Sequence, residues 1–210
     1  MIFRSLIDKL IKAFDRMLKN NQRRTLMSKK IAISSGHGKI VRGANGIIDE
    51  VDEARRITDN VAEILRKKGA TVAVFHDNES RNANTNLAAI VNWHRQQDGE
   101  IDVLVHFNAF DNPNAHGTEV ICHADGVNTA LANRIAEATA SAGGFRLRPA
   151  QGGAALPGVA LRDNLFVINQ LRIKPCVLLE VCFVTSPVDV SLYAKNFNSI
   201  CEAIAGALLA

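Results

Sequence analysis

Nowhere does the chain run apolar for the ~18–20 residues that a membrane-spanning helix needs, so no segment qualifies as such a span. Aromatic side chains are scarce, with one Trp, one Tyr and nine Phe in 210 residues, so a core must be built mainly from Ile, Val, Leu and Ala. The four cysteines (122, 176, 182 and 201) show no C-x-x-C spacing and imply no disulfide framework; reduced, buried thiols are expected. Basic charge is missing from most of the chain despite a net charge of +4. Residues 1–26 hold seven Lys/Arg against two Asp, which leaves 18 basic against 19 acidic groups in the other 184 residues. A near-neutral body has no electrostatic footprint for nucleic acid, and no nucleic-acid partner is expected.

What remains has the composition of a globular protein, 47% hydrophobic and 22% charged, long enough for one domain with a sizeable core and an appendage. The appendage is residues 1–28. Ile2, Phe3, Leu6, Ile7, Leu10, Ile11, Phe14, Met17 and Leu18 recur at three- and four-residue spacing, which predicts a basic amphipathic helix over 2–18. Such a helix suits docking on the domain, self-association or a membrane surface. Its charges deny it the uninterrupted apolar core of a secretory signal, and Met27 offers an alternative start.

From residue 29 to 210 strands and helices alternate. "KIAIS", "TVAVFH", "IDVLVHF", "GTEVICHA" and "CVLLEVCFV" read as strands. The intervening segments from Asp49, Asn84, Asn128 and Asp189 carry helical periodicity, the first stopped by Gly69. The expected fold class is therefore α/β, a single domain with a mostly parallel central sheet flanked by helices. Residues 148–164 read as one long irregular segment.

Ionisable residues sit where three interior strands end: His37 in "SSGHG", His106 after "DVLV", Glu180 after "CVLL". Open α/β sheets bind ligands beyond the carboxyl ends of their strands, which brings these scattered positions together. Gly36 and Gly38 leave room around the first imidazole. Two histidines and a carboxylate suit Zn2+, with a fourth position left for water. The third ligand should come from "IIDEVDEARR"; Asp49 and Asp52 suit helix capping, while Glu50 and Glu53, one turn apart, are not separated by spacing.

With "SSGHG", "NGIIDE", "VHFNAF" and "VLLEVCFVTSPVD" in this order, residues 29–210 resemble the zinc-dependent N-acetylmuramoyl-L-alanine amidases of the type-3 class, which occur as bacterial wall amidases and phage endolysins. The resemblance implies that His37, Glu50 and His106 hold zinc, that Glu180 is the catalytic carboxylate, and that Arg162 of "LRDNLFVINQ" lies near the site. It implies peptidoglycan as substrate, cut between N-acetylmuramic acid and the L-alanine of the stem peptide. Ser34-Ser35 stand where many members have an acidic residue and a proline, and with no wall-binding repeat expected after residue 210, substrate targeting is expected from the domain or the N-terminal helix. The competing readings are a zinc peptidase for another stem-peptide bond and a non-catalytic wall-binding module. Without a signal sequence, cytoplasmic accumulation is expected, followed by phage-type release or export by another route. Asn108 is expected to order its loop or touch substrate; Glu119, after the "HGT" turn, is expected at a solvated strand position, with the cleft as the alternative; His76, His94, His116 and His123 are expected at surface or structural positions.

Overall fold

The computed structural model describes Lys12 and residues 29–210 apart from Pro113. The helix expected over 2–18 therefore lies outside the described residues, Lys12 excepted. Within them the chain forms β1 (Lys30–Gly38), α1 (Glu50–Lys67), β2 (Thr71–Asp77), α2 (Ala83–Gln96), β3 (Ile101–Asn108), β4 (Glu119–His123), α3 (Thr129–Gly143), β5 (Val159–Arg162), α4 (Phe166–Leu171), β6 (Cys176–Phe183) and α5 (Pro187–Leu209).

The six strands make one sheet in the order β2-β1-β3-β6-β4-β5. Strands β2, β1, β3 and β6 run parallel, whereas β4 is antiparallel to β6 and β5 follows β4. The mostly parallel sheet is thus as expected. The segment 148–164 differs: its end forms β5, and the short α4 follows it. Elements of four and six residues are too short to show a period against flanking Gly and Pro.

Alternation along the strands gives the sheet two unequal faces. Ile31, Ile33, Val103, Val105, Val177 and Leu179 point to one of them, against Ala54, Ile57, Val61 and Leu65 of α1, Ile135 of α3 and Tyr193, Ile200 and Ile204 of α5. Each such fully buried aliphatic side chain contributes about 1.5–3 kcal/mol. The opposite face carries Leu104, Ile121, Ala160 and Leu178, covered by Ile90 and Val91 of α2 and Val167, Ile168 and Leu171 of the short α4. Those two helices leave part of the face open. All four cysteines are buried and free, as expected.

Beneath the last turn of α2 the second face also carries a buried polar group. His94, fully buried, donates from Nδ1 to Asp102 Oδ1 at 3.0 Å, since an ionised carboxylate can only accept. Its Nε2 then accepts from the Ser34 hydroxyl at 2.9 Å. Lys174 Nζ lies 3.3 Å from Asp102 and balances its charge. No solvent reaches Ser34, His94 or Asp102, so the trio ties α2 to the sheet as a structural unit. His94→Ala should strand two buried polar groups and cost roughly 3 kcal/mol in urea unfolding.

Candidate active site

Strand β1 breaks its pairing with β2 between Ser34 and Gly38, where four steps along β1 match two along β2. Within this bulge His37 has φ 57°, the left-handed region, and it is the only non-glycine there among the described residues. Such a conformation costs of order 1–3 kcal/mol and survives where surrounding structure enforces it. Here it belongs to the histidine that turns towards β3.

Three side chains converge at that point. Glu50 opens α1, its position fixed by Asp49, whose side chain accepts from the amides of Val51 and Asp52 as the helix cap. Glu50 Oε1 accepts from His106 Nδ1 at 3.0 Å and from the Phe107 amide at 3.2 Å; Oε2 accepts from the Ala44 amide at 2.7 Å. His37 Nε2 lies 3.4 Å from Oε2. The alternative carboxylate, Glu53, turns elsewhere: it accepts from the Tyr193 hydroxyl at 2.6 Å and pairs with Arg56. One helical turn does not put Glu50 and Glu53 at the same site, and the fold separates what spacing left open.

The donor set fits a divalent cation. His37, Glu50 and His106 each offer one ligand atom, all within 4.8 Å of one another. A tetrahedral zinc with bonds of about 2.0–2.1 Å separates its ligand atoms by roughly 3.3 Å, close to the two carboxylate–imidazole distances. Burial would raise the Glu50 pKa, but hydrogen bonds from His106 and His37 and their charge outweigh it and hold the carboxyl well below its usual range. Burial lowers that of His37, yet the Glu50 partnership raises it overall.

Two glycines make the convergence sterically possible. A Cβ on Gly36 would meet His106 Cε1 at 2.1 Å, and one on Gly43 would meet Glu50 Oε2 and His37 Cδ2 at 2.2 and 2.4 Å. Gly36→Ala should therefore push the His106 ring off the site and cut metal affinity about 10–100-fold, as measured by competition with a chromogenic chelator.

Glu180 stands beside His106 in register on β6, and both line an open cleft of about 530 Å3 with His37, Asn108, Glu119 and Arg162. Burial, then the charges of Glu50 and Glu119, push its carboxyl from the usual 4.5 to about 8, with Arg162 opposing. Its Oε2 is buried without a hydrogen-bond partner among the described residues. An orphaned carboxylate oxygen facing a crowd of acidic groups is what a nearby cation or a reacting water would satisfy.

The sign of the resulting pH dependence follows. Below pH 4.5 Glu180 is protonated in folded and unfolded chains alike. Between 4.5 and about 8 the unfolded chain ionises while the folded one keeps its proton, so stability falls as pH rises. The raised pKa of His37 acts in the same direction. Metal-free protein should unfold at progressively lower urea concentration across this window.

Of the sequence-predicted residues, His37, His106, Glu180 and Arg162 share the cleft, and Glu50 completes the cluster with the two histidines. Asn108 accepts from the Ala109 amide at 2.9 Å and donates to Glu119 at 2.9 Å, so it orders its loop and reaches the cleft. Glu119 is the correction: it is only 2% exposed and faces the cleft, not solvent. It shares the sheet face of Ile121, the one that α2 and α4 cover.

The family model for N-acetylmuramoyl-L-alanine amidase matches residues 31–210. A 38.4 kDa protein of Clostridium perfringens is 30% identical over 175 residues, 81% of this chain and 48% of its own length, so the chain spans about half of that relative. The fold is similar to the catalytic domain of an endolysin targeting Clostridia difficile, with TM-score 0.74 and 21% identity over 86% of this chain and 97% of that one. It is also similar to the CwlD amidase of Clostridioides difficile, solved with the GerS lipoprotein, with TM-score 0.70 and 22% identity over 86% and 94% of the two chains. That family match spans nearly all of the described residues: the chain belongs to the N-acetylmuramoyl-L-alanine amidase family.

Proposed function

We propose that this chain is a zinc-dependent peptidoglycan hydrolase that cleaves the amide between the lactyl group of N-acetylmuramic acid and L-alanine. The observation that carries the reading is the cluster of His37, Glu50 and His106 with the orphaned oxygen of Glu180 in the adjoining cleft. His37, Glu50 and His106 are the residues that would hold Zn2+. Bound there, Zn2+ supplies Lewis-acid polarisation of the scissile carbonyl and makes a nearby water more acidic. Glu180 accepts a proton from the attacking water, whose oxygen bonds the carbonyl carbon. It then returns that proton to the nitrogen as the C–N bond breaks, releasing the stem peptide with a free L-alanine amine. For this Glu180 must be ionised, and neighbouring positive charge favours that form. Arg162 flanks it in the cleft wall and works in the same direction.

Digestion of purified sacculi, with mass spectrometry of the products and metal analysis of the protein, tests the proposal. Intact stem peptides beginning at L-alanine, released by zinc-loaded protein alone, are expected. Shortened peptides would make it a peptidase, and binding without products a wall-binding module. On the same reading the enzyme meets its substrate outside the membrane, after phage-type lysis or through an export route. Residues 2–18 would serve as a membrane or self-association element, which comparing vesicle flotation and sedimentation of 1–210 and 27–210 checks.

A further inference from the structure

The strand position of Glu119 is an unfavourable one for a carboxylate. It is buried and lies directly opposite Glu180 in the antiparallel β4–β6 pair. Like charges at directly opposed positions destabilise a sheet, and a buried carboxylate is costly unless donors surround it. Folding alone would favour an uncharged residue here.

The donors are present and form a chain. Glu119 Oε1 accepts from Asn108 Nδ2 at 2.9 Å, and Oε2 accepts from Gln151 Nε2 at 2.7 Å. An ionised carboxylate can only accept, so both amides must turn their NH2 groups towards it. Gln151 is then obliged to turn its carbonyl outwards, where Oε1 accepts from Arg162 Nη2 at 3.1 Å. Asn108 is likewise obliged to turn its oxygen towards the Ala109 amide. One acceptor thus dictates the orientation of two amides and, through one of them, of a guanidinium in the cleft wall. That Gln151 contact is the only hydrogen bond of the Arg162 guanidinium among the described residues, which leaves its other N–H groups for substrate.

We infer that Glu119 is a positioning residue for the hydrolysis, holding Asn108 and, through Gln151, Arg162 in the orientation in which they meet the substrate beside Glu180. The part played in hydrolysis rests on the amidase reading; the ordering of Asn108 and Arg162 by Glu119 does not.

The test is Glu119→Gln against the double variant Glu119→Gln/Gln151→Glu. In the single variant, one NH2 of the new side chain confronts an NH2 of Asn108 or Gln151, and a flip of Gln151 to relieve this abandons Arg162. In the double variant every bond returns: the new amide oxygen accepts from Asn108, its NH2 donates to the new carboxylate at 151, and that carboxylate accepts from Arg162. Side-chain 15N NMR of the full chain should show ordered Asn108 and Arg162 signals in wild type, averaged signals in Glu119→Gln, and recovery in the double variant. On zinc-loaded protein, kcat/KM for muropeptide should fall about 10–100-fold in Glu119→Gln and be regained in the double variant. Ordered signals in Glu119→Gln would overturn the inference whatever the activity. So would a displaced pH–rate profile that persists in the double variant, which would assign the effect to charge beside Glu180. Wild-type protein inert on every muropeptide would sink the amidase reading and with it the hydrolytic role, while the NMR arm would still decide whether Glu119 orders Asn108 and Arg162.

Discussion

Glu180→Gln is expected to keep its metal and lose hydrolysis by roughly 10²–10⁴-fold, the range associated with removing a general acid–base group. The substitution preserves volume and strand register on β6, and the Glu50, His37 and His106 contacts do not involve residue 180. On the proposed mechanism, what it removes is the capacity to take a proton from water and hand it to the departing amine. The same variant carries a second signature. Without a carboxyl held up to about 8, most of the alkaline loss of stability in metal-free protein should vanish, leaving the part due to His37. Zinc content, product release from sacculi and urea unfolding at several pH values check the three parts. A variant that digests sacculi at the wild-type rate would strip Glu180 of its role.

His106→Ala has the opposite profile: the metal goes first and activity follows. The imidazole is one of the three groups that could hold a metal and also a hydrogen-bond donor to the nearly buried Glu50. Its removal leaves the carboxylate with the amides of Ala44 and Phe107 and with His37. The expected cost to the metal-free fold is about 1–3 kcal/mol, that of a buried acceptor losing a partner. Zinc affinity should fall about 100-fold or more, exceeding the cost of disturbing an outer partner. Wild-type protein should gain thermal stability on adding zinc, by mass action, and the variant should not. Equal zinc-induced shifts in both would remove His106 from the ligand set.

Much of this centre could be read before any fold was known, because its parts break local rules. An imidazole between glycines and two ionisable groups inside apolar strands are unfavourable for packing, so they stand out from it. The alternation of strands and helices was equally plain, since β1, β3 and β6 and the long helices each extend over enough residues to show a period. What escaped depends on contacts distant in sequence. Glu50 and Glu53 share a helical turn, and what divides them is a hydroxyl 140 positions away on Tyr193. Glu119 stands after a turn and ahead of the apolar run "VIC", and no local signal decides whether its carboxylate meets solvent or a cleft. The reversed direction of β4 is set by its register with β6, and β5 is too short to announce itself.

The lopsided dressing of the sheet divides the labours of the molecule. Three long helices on one side supply persistence, and the sparse cover on the other leaves room for chemistry. Evolution or an engineer can therefore remodel the short helix and loops around the cleft to suit a different ligand while the thickly covered side stays as it is.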